Sequence, residues 1–219
     1  LEQRDGVLRK GAEELLAGWL AARGVAPGAV TVGSKWGYTY TAGWRTRAER
    51  HEVKDHSLAT LRRQLPESLG FLEPWMVLYQ VHSATLESGV LDDGDVLDEL
   101  ARVRAGGLAV GLTVSGPDQA DVIRRALAVE RDGAPLFDSI QATWNVLERS
   151  AEGALAEAHA AGRGVIVKEA LANGRLTHRN AALPTGVRAA LHAALPEAGT
   201  PEAAALAAAC AQPFADVVL

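Results

Sequence analysis

The feature that most constrains this chain is a regular alternation of short apolar runs with helix-patterned segments, joined by short connections. Runs at Val30–Lys35 (VTVGSK), Trp75–His82 (WMVLYQVH), Leu108–Val114 (LAVGLTV), Ser139–Asn145, Gly164–Lys168 (GVIVK) and Asp216–Leu219 read as strands. Helical spacing covers Ala12–Arg23, Arg47–Gln64, the stretch around Val96–Val103, Pro117 to about Val129, Ala151–Ala161, Thr185–Leu195 and Pro201–Ala211. In the first of these, Leu15, Leu16, Trp19 and Leu20 share a face; in the fourth, Val122, Ile123, Ala126 and Leu127 do so. Strands that alternate with helices pair in parallel through helical crossovers. Near-continuous apolar strands are what a sheet covered on both faces requires. The chain therefore reads as α/β and as a single domain over residues 1–219, with no sequence repeat or low-complexity linker.

Two architectures satisfy that pattern, an open doubly wound sheet and a closed barrel. An open nucleotide-binding sheet carries a Gly-rich phosphate turn after its first strand. GSKWG at 33–37 lacks that spacing. Polar residues stand instead at the C-terminal ends of successive strands: Lys35, His82, Thr113, Asn145 and Lys168. Active sites of (β/α)8 barrels are assembled from that end of many strands. The barrel is the expected fold, with about six of its eight βα units visible.

The formal net charge of -5 argues against a nucleic-acid or anionic-membrane partner, each of which needs a basic face. No apolar run approaches the roughly 20 residues of a membrane span. The charged, helix-like start is unlike a secretory signal. The single cysteine, Cys210, is expected as a small buried residue on an Ala-rich helix and fits a reducing cytoplasm. Ala, Arg, Gly and Val in place of Lys and Ile suggest a GC-rich bacterial gene.

Each candidate side chain has a chemical and a plain reading. Lys35 can lower the pKa of a neighbouring acid through its charge, or stand as a surface lysine. His82 can donate to a substrate carbonyl or move a proton, or be an ordinary strand-end histidine. Together they are more telling, since two strand-end groups on successive strands should meet over one barrel mouth. In IQATWN, Gln141 can pair with a carboxamide and Trp144 can offer a face for ring stacking; packing is the alternative. The segment 167–177 (VKEALANGRLT) brings Lys168 and a Gly174 turn near a pocket, suited to a pyrophosphate or to a simple βα loop. Trp36, Tyr38, Tyr40 and Trp44 could line an aromatic substrate pocket or pack a loop on the rim. His51, His56, His159, His178 and His192 are scattered, and no spacing with cysteine or carboxylate suggests a metal site.

VGSKWG, LYQVHSATLES, GLTVSG, IQATWNVLERSAE and GVIVKEALANGRL occur in the order and spacing of the aldo-keto reductases, and from about Ala12 onward the chain resembles that family. The resemblance implies a (β/α)8 barrel that uses NADPH or NADH without a Gly-rich turn, and an NADP(H)-dependent oxidoreductase acting on an aldehyde, ketone or alcohol in the cytoplasm. It places Lys35 and His82 on the family's catalytic lysine and histidine, and Gln141 on the residue that pairs with the nicotinamide amide. Trp144 falls where an aromatic stacks on the nicotinamide, Thr113 takes the place of a serine that reaches the amide, and Ser115 follows it. Leu171 opens LANG, which looks like the loop that crosses the pyrophosphate.

The departures shape the expectation. The family's aspartate and proton-donating tyrosine precede the helix that begins here near Ala12. Asp5 and Lys10 have the matching five-residue spacing, but Lys10 is no phenol. RKGAEELL resembles the stretch after that tyrosine, so a missing stretch would fall near Leu8–Arg9. The first two strands and the C-terminal loop for the adenosine 2′-phosphate have no counterpart here. Val114 stands where relatives carry asparagine, and Lys168 and Glu169 replace a tyrosine and a serine. Two rival readings follow: a catalytically weak cofactor-binding regulatory barrel of the same family, and an aldolase with Lys35 or Lys168 as a Schiff base.

Overall fold

The computed structural model describes residues 11–42 and 47–219. Asp5, Lys10, the Leu8–Arg9 junction and Trp44 lie outside the described residues. The chain divides into two compact units, the first ending at Gly111 within a strand and the second made of Ala84–Glu87 and Leu112–Leu219.

The first unit contains helix α1 (Ala12–Ala22), strand β1 (Val32–Trp36), a small antiparallel pair β2 (Tyr38–Tyr40) and β3 (Glu52–Lys54), helix α2 (Leu58–Leu72), strand β4 (Met76–Ala84), helix α3 (Gly94–Ala105) and the start of β5 (Ala109–Val114). Its sheet runs β1-β4-β5. β1 and β4 are parallel, with Lys35 opposite Gln80 and Trp36 opposite Val81. Side chains in register share a face and alternate along a strand. Lys35, Gln80 and His82 therefore lie on one face, and Ser34, Trp36, Tyr79 and Val81 on the other. That second face is the helix side, where Glu13 of α1 accepts hydrogen bonds from Ser34 and from Ser68 of α2.

The second unit takes up β5 and continues through α4 (Gln119–Leu127), a short hairpin β6 (Glu130–Arg131) and β7 (Ala134–Pro135), β8 (Ser139–Thr143), α5 (Glu152–Ala160), β9 (Gly164–Lys168), α6 (Thr185–Ala194), α7 (Pro201–Cys210) and β10 (Val217–Val218). Its sheet runs β5-β8-β9-β10, with β8, β9 and β10 parallel. Gln141 is opposite Ile166 and Thr143 opposite Lys168, so these four share a face. Val165 and Val167 point the other way into the helix layer, together with Ala154, Leu155 and Ala158 of α5 among the fully buried residues.

The strand and helix alternation appears as the sequence implies. The expected helix over Arg47–Gln64 does not: 52–54 is strand β3, and α2 starts at Leu58 and runs on to Leu72. The cause is local. Asp55 accepts from the Ser57 amide and the Thr60 hydroxyl, and the Ser57 side chain accepts from the Thr60 amide. This N-cap starts the helix there, and the bonds to Asp55 hold its carboxyl below the usual carboxylate range. The two short hairpins escape detection because three or fewer residues per strand carry no period. Cys210 is exposed rather than buried, at the last position of α7, while Ala204, Ala205 and Ala209 form the packed stripe. Among the described residues no helix is long and apolar enough to cross a membrane.

Candidate active site

In the first unit the strand ends are braced by α2 and the residues just before it. Gln64 grips the backbone after β1 at two points: its Oε1 accepts from the Gly37 amide at 2.9 Å, and its Nε2 donates to the Tyr38 carbonyl at 2.8 Å. The Asp55 amide donates to the Gly37 carbonyl at 2.9 Å. Tyr38, held in this way, sets its ring edgewise against the His82 imidazole, with centroids 4.7 Å apart. Lys35 is exposed, and lines a cavity of about 420 Å³ with Tyr38, Tyr40 and residues of α1 and α2, among them Glu13, Gln64 and Phe71; His82 is not among the described residues that line it. Trp36 is buried on the helix face, opposite to Lys35, with its ring edge against His56.

In the second unit a cavity of about 330 Å³ opens beyond the C-terminal ends of β5, β8 and β9. Ser115, Asn145, Lys168, Glu169, Asn173 and Arg175 line it. Asn145 ties its wall together: Nδ2 donates to the Glu169 carbonyl at 3.0 Å, and Oδ1 accepts from the amides of Leu147 and Glu148. Gln119 of α4 clamps the end of β8 as Gln64 clamps the end of β1. Its Oε1 accepts from the Thr143 amide at 3.0 Å, and its Nε2 donates to the Thr143 carbonyl at 3.2 Å. Thr113 and Gln141 are buried. Half-buried Lys168 has its pKa pulled down by loss of water, with the adjacent Glu169 acting in the opposite direction.

The remaining expected residues sit elsewhere. Trp144 alternates out of the Gln141 face. Its indole is 2% exposed, its ring edge meets Phe214, and its Nε1 donates to Glu152 at 3.0 Å. Leu171 packs on a small cluster that includes Leu176, Leu183 and Leu191, and its carbonyl accepts from the amides of Gly174 and Leu176. Sequence reasoning passed over Gln64, Gln119 and His56. For the two glutamines a signal existed. Gln119 is in helical phase with Val122, Ile123 and Ala126, and Gln64 with Leu61 and Ser68, so each is a polar residue on a buried stripe. Replacing Gln119 by Ala strips the Thr143 amide and carbonyl of their partners and is expected to cost about 1–3 kcal/mol in urea unfolding.

The aldo/keto reductase family model matches residues 9–212. The chain belongs to the aldo/keto reductase family. Members use a nicotinamide cofactor, NADPH or NADH. The chain is similar to the holo form of an aldo-keto reductase from Bacillus halodurans, with 20% identity and a TM-score of 0.68 over 94% of this chain and 66% of that one. It is also similar to the glycerol dehydrogenase of Gluconobacter oxydans, with 22% identity and a TM-score of 0.70 over 94% of this chain and 66% of that one. At these identities the likeness establishes the fold, that of aldo-keto reductase barrels. The chain spans just under two thirds of the length of these structures. No curated protein matches it.

The donor set fits part of such a cofactor. The cavity in the second unit presents two cations, Lys168 and Arg175, with the hydroxyl of Ser115, while the Asn145 and Asn173 amides are bonded to Glu169. Cations and neutral donors of this kind suit phosphate oxygens. Two carboxylates, Glu148 and Glu169, share the wall, and about 330 Å³ is at the small end of ligand cavities, enough for one portion of a dinucleotide.

Proposed function

We propose that this aldo/keto reductase is an NADP(H)-dependent oxidoreductase that interconverts an aldehyde or ketone and its alcohol. The observation that carries the reading is the β1/β4 register, which sets Lys35 and His82 on one face of neighbouring parallel strands at their C-terminal ends. That is where barrels assemble chemistry.

The cofactor, when bound, supplies the hydride. His82, steadied by the Tyr38 ring, donates a hydrogen bond that orients the substrate carbonyl. Lys35 places a positive charge beside the group that protonates the developing alkoxide, a tyrosine by the family resemblance, and lowers its pKa. Tyr38 and Tyr40 present aromatic surface to the substrate, whereas buried Trp36 keeps β1 on its helix layer. Taken by itself, the second unit offers the Gln141 amide and the Thr113 hydroxyl as partners for a carboxamide. Ser115 and Lys168 approach the phosphates, with Leu171 shaping the loop beside them. Trp144, on the helix side of β8, is assigned to packing.

The test is oxidation of NADPH, followed at 340 nm, with a panel of aldehydes and ketones. Turnover that depends on both carbonyl and His82 supports the reading. Tight NADPH binding without turnover of any substrate overturns it in favour of a cofactor-binding regulatory barrel.

Lys168 gives a second check. Its lowered pKa means that the ligand-free folded state binds fewer protons than the unfolded chain between that lowered value and 10.5. Stability of the ligand-free protein therefore rises with pH across that window. A bound phosphate favours the charged amine, so the cofactor Kd should rise as pH climbs through the lowered Lys168 pKa. Lys168→Met is expected to weaken NADPH binding by about 10- to 100-fold, the worth of one charged hydrogen bond, and to abolish the pH dependence. Quenching of tryptophan fluorescence reads both.

A further inference from the structure

His56 is the buried histidine that the proposed chemistry does not use. It stands between the ends of the two strands that carry Lys35 and His82. Its Nε2 lies 2.8 Å from the backbone carbonyl of His82. A carbonyl only accepts, so Nε2 carries the proton and donates. Burial pushes the His56 pKa down, which keeps the ring neutral, while the bond to the carbonyl acts the other way. The β1/β4 pairing ends at Trp36 and Val81, one residue short of this carbonyl. Immediately after it, Ser83 takes a positive φ of 56°, so β4 turns at the point that His56 holds.

The same ring also fixes the end of β1. Its edge meets Trp36 at 5.6 Å between centroids. Gly37 is shaped around it: φ is +111°, and a Cβ there would fall 2.4 Å from His56 Cδ2 and 2.7 Å from Nε2. Only a residue without a side chain leaves room for the imidazole at that point. On the far side, Asp55 binds the Gly37 carbonyl through its amide and holds the Ser57 N-cap of α2 through its carboxylate, so His56 is seated at the start of a helix.

We propose that His56 is a positioning residue, a strut between the ends of β1 and β4 that sets the placement of the His82 imidazole relative to Lys35. The inference rests on the reading of His82 given above. His56 touches neither substrate nor cofactor in this role; it acts through the His82 backbone. Small misplacements of a catalytic group can cost about 100-fold in rate.

The experiment uses the full chain with NADPH and an aldehyde that it turns over. His56→Ala is expected to lower kcat by about 10- to 100-fold, as loss of a supporting partner does, with the NADPH Kd within about twofold of the native value. His56→Gln, long enough to keep a donor near the carbonyl, should recover most of the loss, and His56→Asn, too short, should not. In a His82→Ala background, His56→Ala should cost less than about twofold, because a strut has nothing left to position. Losses that multiply in the double variant, or an equal loss in His56→Gln and His56→Asn, overturn the proposal. Side-chain nitrogen NMR reads the strut without turnover. The His82 ring signals should shift in His56→Asn and stay in place in His56→Gln; unchanged signals in both overturn it. Full turnover by His82→Ala would instead overturn the catalytic reading of His82, while the NMR result would still decide whether His56 holds it.

Discussion

Replacing Lys35 by Met is expected to lower kcat for carbonyl reduction by about 10²- to 10⁴-fold, the range for removing a group that takes part in proton transfer. The fold should survive. Lys35 is exposed, and its neighbours Ser34 and Trp36 face the opposite side of β1, where Glu13 and the helix layer hold the strand. Exposed substitutions of this kind usually change stability by less than about 0.5 kcal/mol. A large loss of kcat with an unchanged unfolding midpoint therefore assigns the lysine to chemistry. Methionine keeps the unbranched apolar stem and removes the ammonium group, with its charge and its N–H donors. Lys35→Arg separates charge from shape, because the guanidinium is planar, weakly hydrated and fixed in its protonation state. If Lys35→Met turned over within about twofold of the native protein, the lysine would be a surface residue at a strand end and the proposed centre would fail. The expected range is itself large enough that a partial fold defect could not mimic it.

The largest expected change in stability is that of Trp144→Ala, at about 3–5 kcal/mol, typical of emptying a buried aromatic site. The indole is 2% exposed, packs edgewise on Phe214, and donates from Nε1 to Glu152. Removal leaves a cavity beneath the end of β8, from which Asn145 braces the second-unit cavity. Urea unfolding should show a lower midpoint with little change in slope. Trp144→Phe keeps an aromatic ring but loses part of the indole volume and the Nε1 bond to a carboxylate, so it should cost about 1.5–3 kcal/mol. Trp144→Leu, which removes the aromatic face, addresses the stacking role that the family resemblance implies. If the indole is packing, the folded Trp144→Leu protein binds NADPH within about twofold of the native Kd. A tenfold weaker Kd, measured where the variant is fully folded, would return the ring to the cofactor.

Much of the proposed site can be read before any coordinates, because chemistry at strand ends follows from strand placement. Lys35, His82, Thr113 and Lys168 stand at the ends of runs whose apolar pattern is unmistakable, and the strands form where the pattern puts them. Side-chain facing is less legible. Trp36 follows Lys35 on the loop read as a substrate wall, and Trp144 stands where the resemblance implies a stacking ring. Alternation turns both to the helix layer. The clamps are less legible still. Gln64 and Gln119 satisfy backbone groups 26 and 24 residues away, and His56 reaches a carbonyl 26 residues away. Nothing in a local window marks such partners, beyond a polar residue on an otherwise apolar stripe.

Sequence alone determined the α/β class, the order of the parallel-sheet strands and the main helices, and the family, because these depend on hydrophobic period and motif order along the chain. Tertiary structure decided which of the named residues share a face and what holds them there. Register between strands, the N-cap that starts α2 at Leu58 and the hydrogen bonds of Gln64, Gln119 and His56 are contacts between distant segments. Each buried backbone donor or acceptor must find a partner, and that partner can come from any segment that folding brings near.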